Sequence, residues 1–210
     1  MSTPRGRPVL EATLEAGEAV VDAIMQGDAL ADVPVIGTAF KIAKAADSIR
    51  DRVLAAKLTK FVTEAESMPK ASRERLKAKI AESPQEASHV GETLFLVIDR
   101  ITDLEKPAML ALLFIAFIDD VLTSEELRRL CQAVDAGFAD DLISLLKAHN
   151  VPEKSDVPWM KFLAPTGLTE SQAQVGWGAD GTILYDVSKL GNKFRTAYFH
   201  GRNRTRATTK

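Results

Sequence analysis

Four carboxylates fall close together in the middle of the chain: Asp119, Asp120, Glu125 and Glu126. Hard divalent cations are held by oxygen ligands of this type, so the cluster is the first place to look for metal chemistry. Helix capping offers a simpler account, because Thr123-Ser124-Glu125-Glu126 reads as a capping box at the start of a helix. We therefore take the cluster as a solvated helix–helix junction. His89, His149 and His200 each lack a second His or Cys three or four residues away, so none belongs to a zinc-ligand pattern. Cys131, the only cysteine, sits at an apolar helical position between Leu127 and Val134 and is expected to be a small buried hydrophobe rather than a nucleophile. Glycine-rich phosphate loops, a GxSxG elbow and an HExxH pair are all missing from the sequence. No catalytic residue, metal ligand or cofactor is assigned, and an enzyme is not expected.

Charge offers two further candidate surfaces. Lys189, Lys193, Arg195, Arg202, Arg204, Arg206 and Lys210 follow Ser188 without a single acidic residue, beside Tyr198, Phe199 and His200. Such a run suits nucleic-acid phosphate or an acidic protein surface; the plainer reading is a solubilising tail. The second surface is the outer face of the segment 34–60, where Lys41, Lys44, Arg52, Lys57 and Lys60 outnumber the acids. A basic amphipathic helix of this kind suits an anionic membrane surface or an acidic partner, and the plainer reading is a solvated bundle face.

The elements that must position these residues are mainly helical. Pro107–Ile118 (PAMLALLFIAFI) is apolar on every side and ends abruptly at Asp119-Asp120. Its roughly 18 Å is too short for the ~30 Å bilayer core, so it is expected to be the central helix of a bundle. Leu112, Phe114, Ile115 and Ile118 are expected to be nearly fully buried. Around it, single-stripe amphipathic patterns predict helices over 8–25, from Pro34 through Val62, over Ser72–Glu82, from Ser83 through Ile101, from Thr123 to Gly137, and over Asp140–His149. Trp159, Phe162 and Leu163 then mark a short helix closed by Pro165 and Gly167. Ala173, Val175 and Trp177, with Ile183, Tyr185 and Val187, alternate on either side of Asp180-Gly181 and predict one β-hairpin. Ser188 is expected to cap a last helix that ends near Tyr198.

Hydrophobic residues at 46% suffice for a core, while aromatics at 6% and abundant Ala and Leu favour helices over sandwiches. The first eighteen residues contain no continuous apolar run, so a secretory signal is not expected. With one cysteine and no secretory signal expected, the cytoplasm is the expected compartment.

The segment LAPTGLTESQAQVGWGADGTILYDVSKLGNKFRTAY resembles a winged-helix module. Gly167-Leu168 follows the third helix, the hairpin corresponds to the wing, and Tyr185-Asp186-Val187-Ser188-Lys189-Leu190-Gly191 resembles the phrase that opens the closing helix. Winged helices serve as DNA readers and as protein-contact modules. The third helix here, 155–164, holds only Lys161 as a cation, balanced by Asp156, whereas a base-reading helix is rich in Arg, Lys, Asn or Gln. An Ala/Leu-rich helical body followed by such an end is similar to small helical bacterial abortive-infection (Abi-alpha type) phage-defence proteins. FIDDVLTSEELRRL resembles the acidic helix junction of tellurite-resistance (TerB-like) domains but lacks their Asp-Gly step, so it implies no metal.

The expected architecture is mainly α: a polar, disordered 1–7, a helical bundle over 8–122, a winged-helix-like module over 123–199 packed on it, and a basic disordered tail over 200–210. The expected function is a non-enzymatic binding or regulatory protein that contacts another protein or itself, in phage defence or stress. A DNA-binding winged-helix regulator is the first alternative, and an effector acting on anionic membrane through 34–60 is the second.

Overall fold

The computed structural model describes residues 49–148, 155–173 and 183–208. The helix expected over 8–25 and the part, up to residue 48, of the helical stretch expected from Pro34 through Val62 lie outside these residues. Eight α-helices are described: α1 (Ile49–Glu66), α2 (Lys70–Glu82), α3 (Pro84–Arg100), α4 (Lys106–Ile118), α5 (Ser124–Ala136), α6 (Ala139–Lys147), α7 (Pro158–Leu163) and α8 (Lys189–Thr208). A 3-10 turn, Ala164–Thr166, follows α7, and strands β1 (Thr169–Ala173) and β2 (Ile183–Val187) precede α8.

Helix α4 is the axis of the bundle. Pro107 sits in its first turn, where its missing N–H leaves no gap in the hydrogen-bond ladder. α8 and α1 pack along it most extensively, and α2 and α5 cover further sides. Leu112, Phe114, Ile115 and Ile118 are at most 4% exposed, as the all-round apolar sequence requires. Burying these four side chains contributes on the order of 10 kcal/mol before entropy is counted. The helix ends in a double reverse bond: Val121 N–H donates to Ala116 O at 2.9 Å and Asp120 N–H to Phe117 O at 3.1 Å. That closure needs a left-handed residue, and Asp120 supplies it with φ 60° where glycine is the usual occupant.

The flanking helices begin and end largely where their punctuation predicts. Thr123 Oγ1 accepts from Glu126 N–H at 3.2 Å while Glu126 Oε2 accepts from Thr123 N–H at 2.9 Å, a complete capping box for α5. Gly137 closes that helix. Ser83 stands at the N-cap of α3, but its hydroxyl makes no capping bond. α3 then runs unbroken through Gly91, which is buried.

Two lysines finish helices from a distance. Lys57 is only 5% exposed and donates to Ile98 O at 3.1 Å and Asp99 O at 2.7 Å, at the C-terminus of α3. Lys106 is similarly buried and donates to Asp135 O at 3.0 Å, at the C-terminus of α5. A cation satisfies orphan carbonyls at the negative end of the helix dipole. Burial lowers both ammonium pKa values, against the pull of Asp99 on Lys57 and of Asp103 on Lys106. Lys57 is therefore not part of the outer face of the basic segment.

The C-terminal unit runs α5, α6, α7, turn, hairpin, α8. β1 and β2 pair antiparallel from Thr169–Val187 to Ala173–Ile183. Tyr185 adds a second neighbour, exchanging backbone bonds of 2.8 and 3.0 Å with Ser155. The paired part of the hairpin thus starts at Thr169, directly after Gly167-Leu168. Residues 174–182, which hold Val175, Trp177 and the Asp180-Gly181 turn, lie outside the described residues. In α7 the inward side chains are Met160 and Leu163, while Phe162 is 62% exposed. A helix of six residues cannot bury Trp159, Phe162 and Leu163 on one face when Met160 already fills the core side.

Ser188 joins hairpin to helix. Its Oγ accepts from Gly191 N–H at 3.0 Å and donates to Gly167 O at 2.5 Å, while its own N–H donates to Leu168 O at 3.0 Å. Gly191 then lies against the Leu168 carbonyl, where a Cβ would come within 2.0 Å of that oxygen. The last helix does not end near Tyr198. It continues to Thr208, so residues 200–208 are helix rather than disordered tail. Gly201 is the reason: it rests on α4, and a Cβ there would stand 2.4 Å from Leu112 O. Beyond it Thr205 is buried too.

Candidate functional site

Three places concentrate chemistry, and each is built by the ends of helices. The first is the C-terminus of α4. Its all-apolar length carries the cap residue Asp119 into the bundle, and the side chain is 1% exposed. Ser72 Oγ and Arg75 Nη1, from α2, donate to its Oδ1, both at 2.8 Å. His200 Nε2 at 2.8 Å and Arg204 Nε at 2.9 Å, one turn apart on α8, meet its Oδ2. Burial pushes this carboxyl up, but the bonds from His200, Ser72 and Arg75 and the charge of Arg204 outweigh it and hold Asp119 below its ordinary value of 3.8. An ionised carboxylate only accepts, so His200 presents its Nε2–H to Asp119. Ser72 bonds to the acid and not to the histidine, so the trio is not a serine-nucleophile relay. The arrangement ties α2, α4 and α8 together.

The second place is a groove of about 390 Å³ at the mouth between α2, α3 and α4. Leu76, Val90, Phe114 and Phe117 form its apolar floor, and all four are buried side chains of the core. Its rim is polar: Lys79 and Glu82 from α2, Glu86 from α3, and Asp120. Lys79 Nζ is 2.5 Å from Asp120 Oδ1 and 5.1 Å from the centre of the Phe117 ring.

The third is the outer surface of α7 and its neighbours. Pro158, Lys161, Phe162 and Pro165 are exposed there. Ile183 on β2 and Phe138 at the start of α6 are 56% and 65% exposed.

The residues singled out by charge alone are not brought together. Of the C-terminal set, Lys193 pairs with Glu126 at 3.1 Å, Arg204 with Asp119, and Arg195 donates to Ala148 O. Arg202 is half-buried, Lys189 and Arg206 are exposed, and Lys210 lies outside the described residues. Of the second set, Lys41 and Lys44 lie outside the described residues, Arg52 is exposed, Lys57 is buried, and Lys60 stands 3.9 Å from Glu105. No helix among the described residues is long and apolar enough to cross a membrane.

The four clustered carboxylates separate into four duties. Asp119 is buried rather than solvated, Asp120 meets Lys79, Glu125 pairs with Arg129 at 2.9 Å, and Glu126 completes the capping box. The Thr123 backbone and the Lys193 ammonium hold Glu126 below its usual value. Cys131 is fully buried, and burial pushes its thiol up to about 12, which removes it as a nucleophile near neutral pH.

The Asp119 junction and the groove were missed by reasoning from sequence. One signal was available: His200 and Arg204 stand four residues apart, on one helical face, in a segment set aside as tail. Compared with protein families, curated proteins and solved structures, the chain matches none.

Proposed function

We propose that this protein is a non-enzymatic binding or regulatory protein that works through protein contacts, using its winged-helix-like C-terminal unit as the contact module. The observation that carries the reading is the outer surface of α7, where Pro158, Phe162 and Pro165 surround the single cation Lys161. A helix that reads bases presents polar and basic side chains, whereas exposed aromatic and apolar side chains suit a protein partner. The order of elements and the extra backbone pairing of Ser155 with Tyr185 support the winged-helix comparison. A role in bacterial phage defence or stress, in the cytoplasm, is the specific form of this reading. It rests on the likeness of a helical body with such an end to Abi-alpha type proteins.

DNA binding is the second reading, and the cations of α8 speak against it. Lys193, Arg195 and Arg204 are engaged within the fold, which leaves few to neutralise phosphate. One paired experiment tests both. Affinity capture of the full chain from a bacterial lysate is compared with Phe162→Glu, beside a gel-shift titration at two salt concentrations. The contact reading expects a stoichiometric partner lost in Phe162→Glu, at unchanged melting temperature, and no shifted DNA. A shift whose log–log salt slope is about −3 to −4 transfers the function to DNA.

A further inference from the structure

We infer that the groove between α2, α3 and α4 is a binding site for a small organic amine, an ammonium group carried on an apolar body about the size of a phenyl ring and a short chain. The inference stands apart from the contact role of the C-terminal unit, because α2, α3, α4 and the residues Ser83 and Asp120 at their ends supply the lining.

Size comes first. A volume of about 390 Å³ lies in the range of small-ligand sites, and the floor is aromatic and aliphatic. That floor exists before any ligand arrives, since Phe114 and Phe117 are fixed in the core, stacked at 6.3 Å. Charge decides the class of ligand. Glu82, Glu86 and Asp120 line the mouth against one cation, Lys79, so the rim is net acidic. The partial positive charge at the N-terminus of α3 faces the same space, and Glu86 in its first turn answers it.

Geometry then shows the seat of the cation. The Lys79 ammonium stands over the Phe117 ring while touching Asp120. A ring face with a carboxylate beside it is the environment that recognises ammonium ligands. Lys79 is therefore a resident cation on a long flexible stem, and a ligand ammonium takes its place when the stem swings into water. The left-handed conformation of Asp120 that closes α4 also fixes its backbone beside this ring.

The test is an amide-shift titration of the full chain by NMR with 4-phenylbutylamine, and in parallel with 4-phenylbutyrate and 4-phenylbutanol. A probe of this size binds with Kd on the order of millimolar. The amine is expected to shift amides of Leu76–Val90 and Phe117–Asp120 and to bind more tightly than the acid or the alcohol. Asp120→Asn, which tolerates the same backbone conformation, should weaken the amine about threefold to fivefold. Lys79→Ala should tighten it, because the seat is vacated. Three outcomes overturn the inference: equal binding of amine and alcohol, shifts elsewhere only, or an amine affinity unmoved by Asp120→Asn. Melting curves of both variants verify that the groove is still folded when it is assayed.

Discussion

His200 Nε2 lies 2.8 Å from Asp119 Oδ2, across 81 positions of sequence, and this contact fastens the last helix to the end of the central one. Arg204 repeats the attachment one helical turn later on the same oxygen, while Ser72 and Arg75 hold the other oxygen from α2. One carboxylate thus sets the relative positions of three helices.

Asp119→Ala should lower stability by about 2–3 kcal/mol, since four donors lose their acceptor. The loss falls short of a fully buried pair because Arg75 and Arg204 are 47% and 43% exposed and regain water. The pH dependence follows from the direction of the shift. A carboxyl held below 3.8 when folded stabilises the protein fully above that value and loses its contribution as pH falls through the folded value. Acid melting curves of wild type should therefore fall more steeply below pH 3.8 than those of Asp119→Asn; identical acid limbs would exclude an ionised Asp119 at the junction.

Gly201→Ala distinguishes a packed helix from a tail. A methyl group directed at the Leu112 carbonyl forces α8 away from α4, at a cost of about 2–3 kcal/mol. Urea denaturation should show a lower midpoint with an unchanged slope. In an unstructured tail the same substitution would leave the midpoint where it is.

Lys57 offers a third test. Lys57→Met removes two hydrogen bonds to the end of α3 but also relieves the burial of an ammonium group, so the net loss is about 1 kcal/mol. Amine-reactive labelling provides a direct readout: Lys57 should react slowly and Lys60 quickly, in step with their exposures. Equal labelling of the two would place Lys57 on the solvated face after all.

Asp120→Gly separates structure from binding at one position. Glycine removes the left-handed strain, and the exposed contact with Lys79 contributes little, so stability should stay within about 0.5 kcal/mol of wild type or exceed it. Binding of 4-phenylbutylamine should nevertheless weaken. A melting temperature that drops sharply would make Asp120 a structural pairing residue instead.

The helical class and the central position of α4 were legible because an all-apolar helix of this length has few other places to go. The capping box at Thr123 and the stop at Gly137 were equally legible, since both depend on residues close in sequence. The fate of charged side chains was not. Lys57 occupies the polar side of its own helix pattern, and only the end of α3 arriving beside it turns that position inward. Asp119 reads as one more surface acid until α2 and α8 close over it. Residues 200–208 lack the large apolar residues that announce a buried stripe, because they are held to α4 by Gly201 and by the bonds of His200 and Arg204 to Asp119 instead.

The placement of α8 also sets an order of events during synthesis on the ribosome. Leu110 through Ile118 emerge long before Phe194 and Ala197, which cover one flank of the same helix. Contacts of such separation close late, so nascent α4 waits with an oily side bare while the whole C-terminal unit is translated. A message broken before codon 189 would yield a polypeptide with that flank permanently open, a ready substrate for chaperones and proteases.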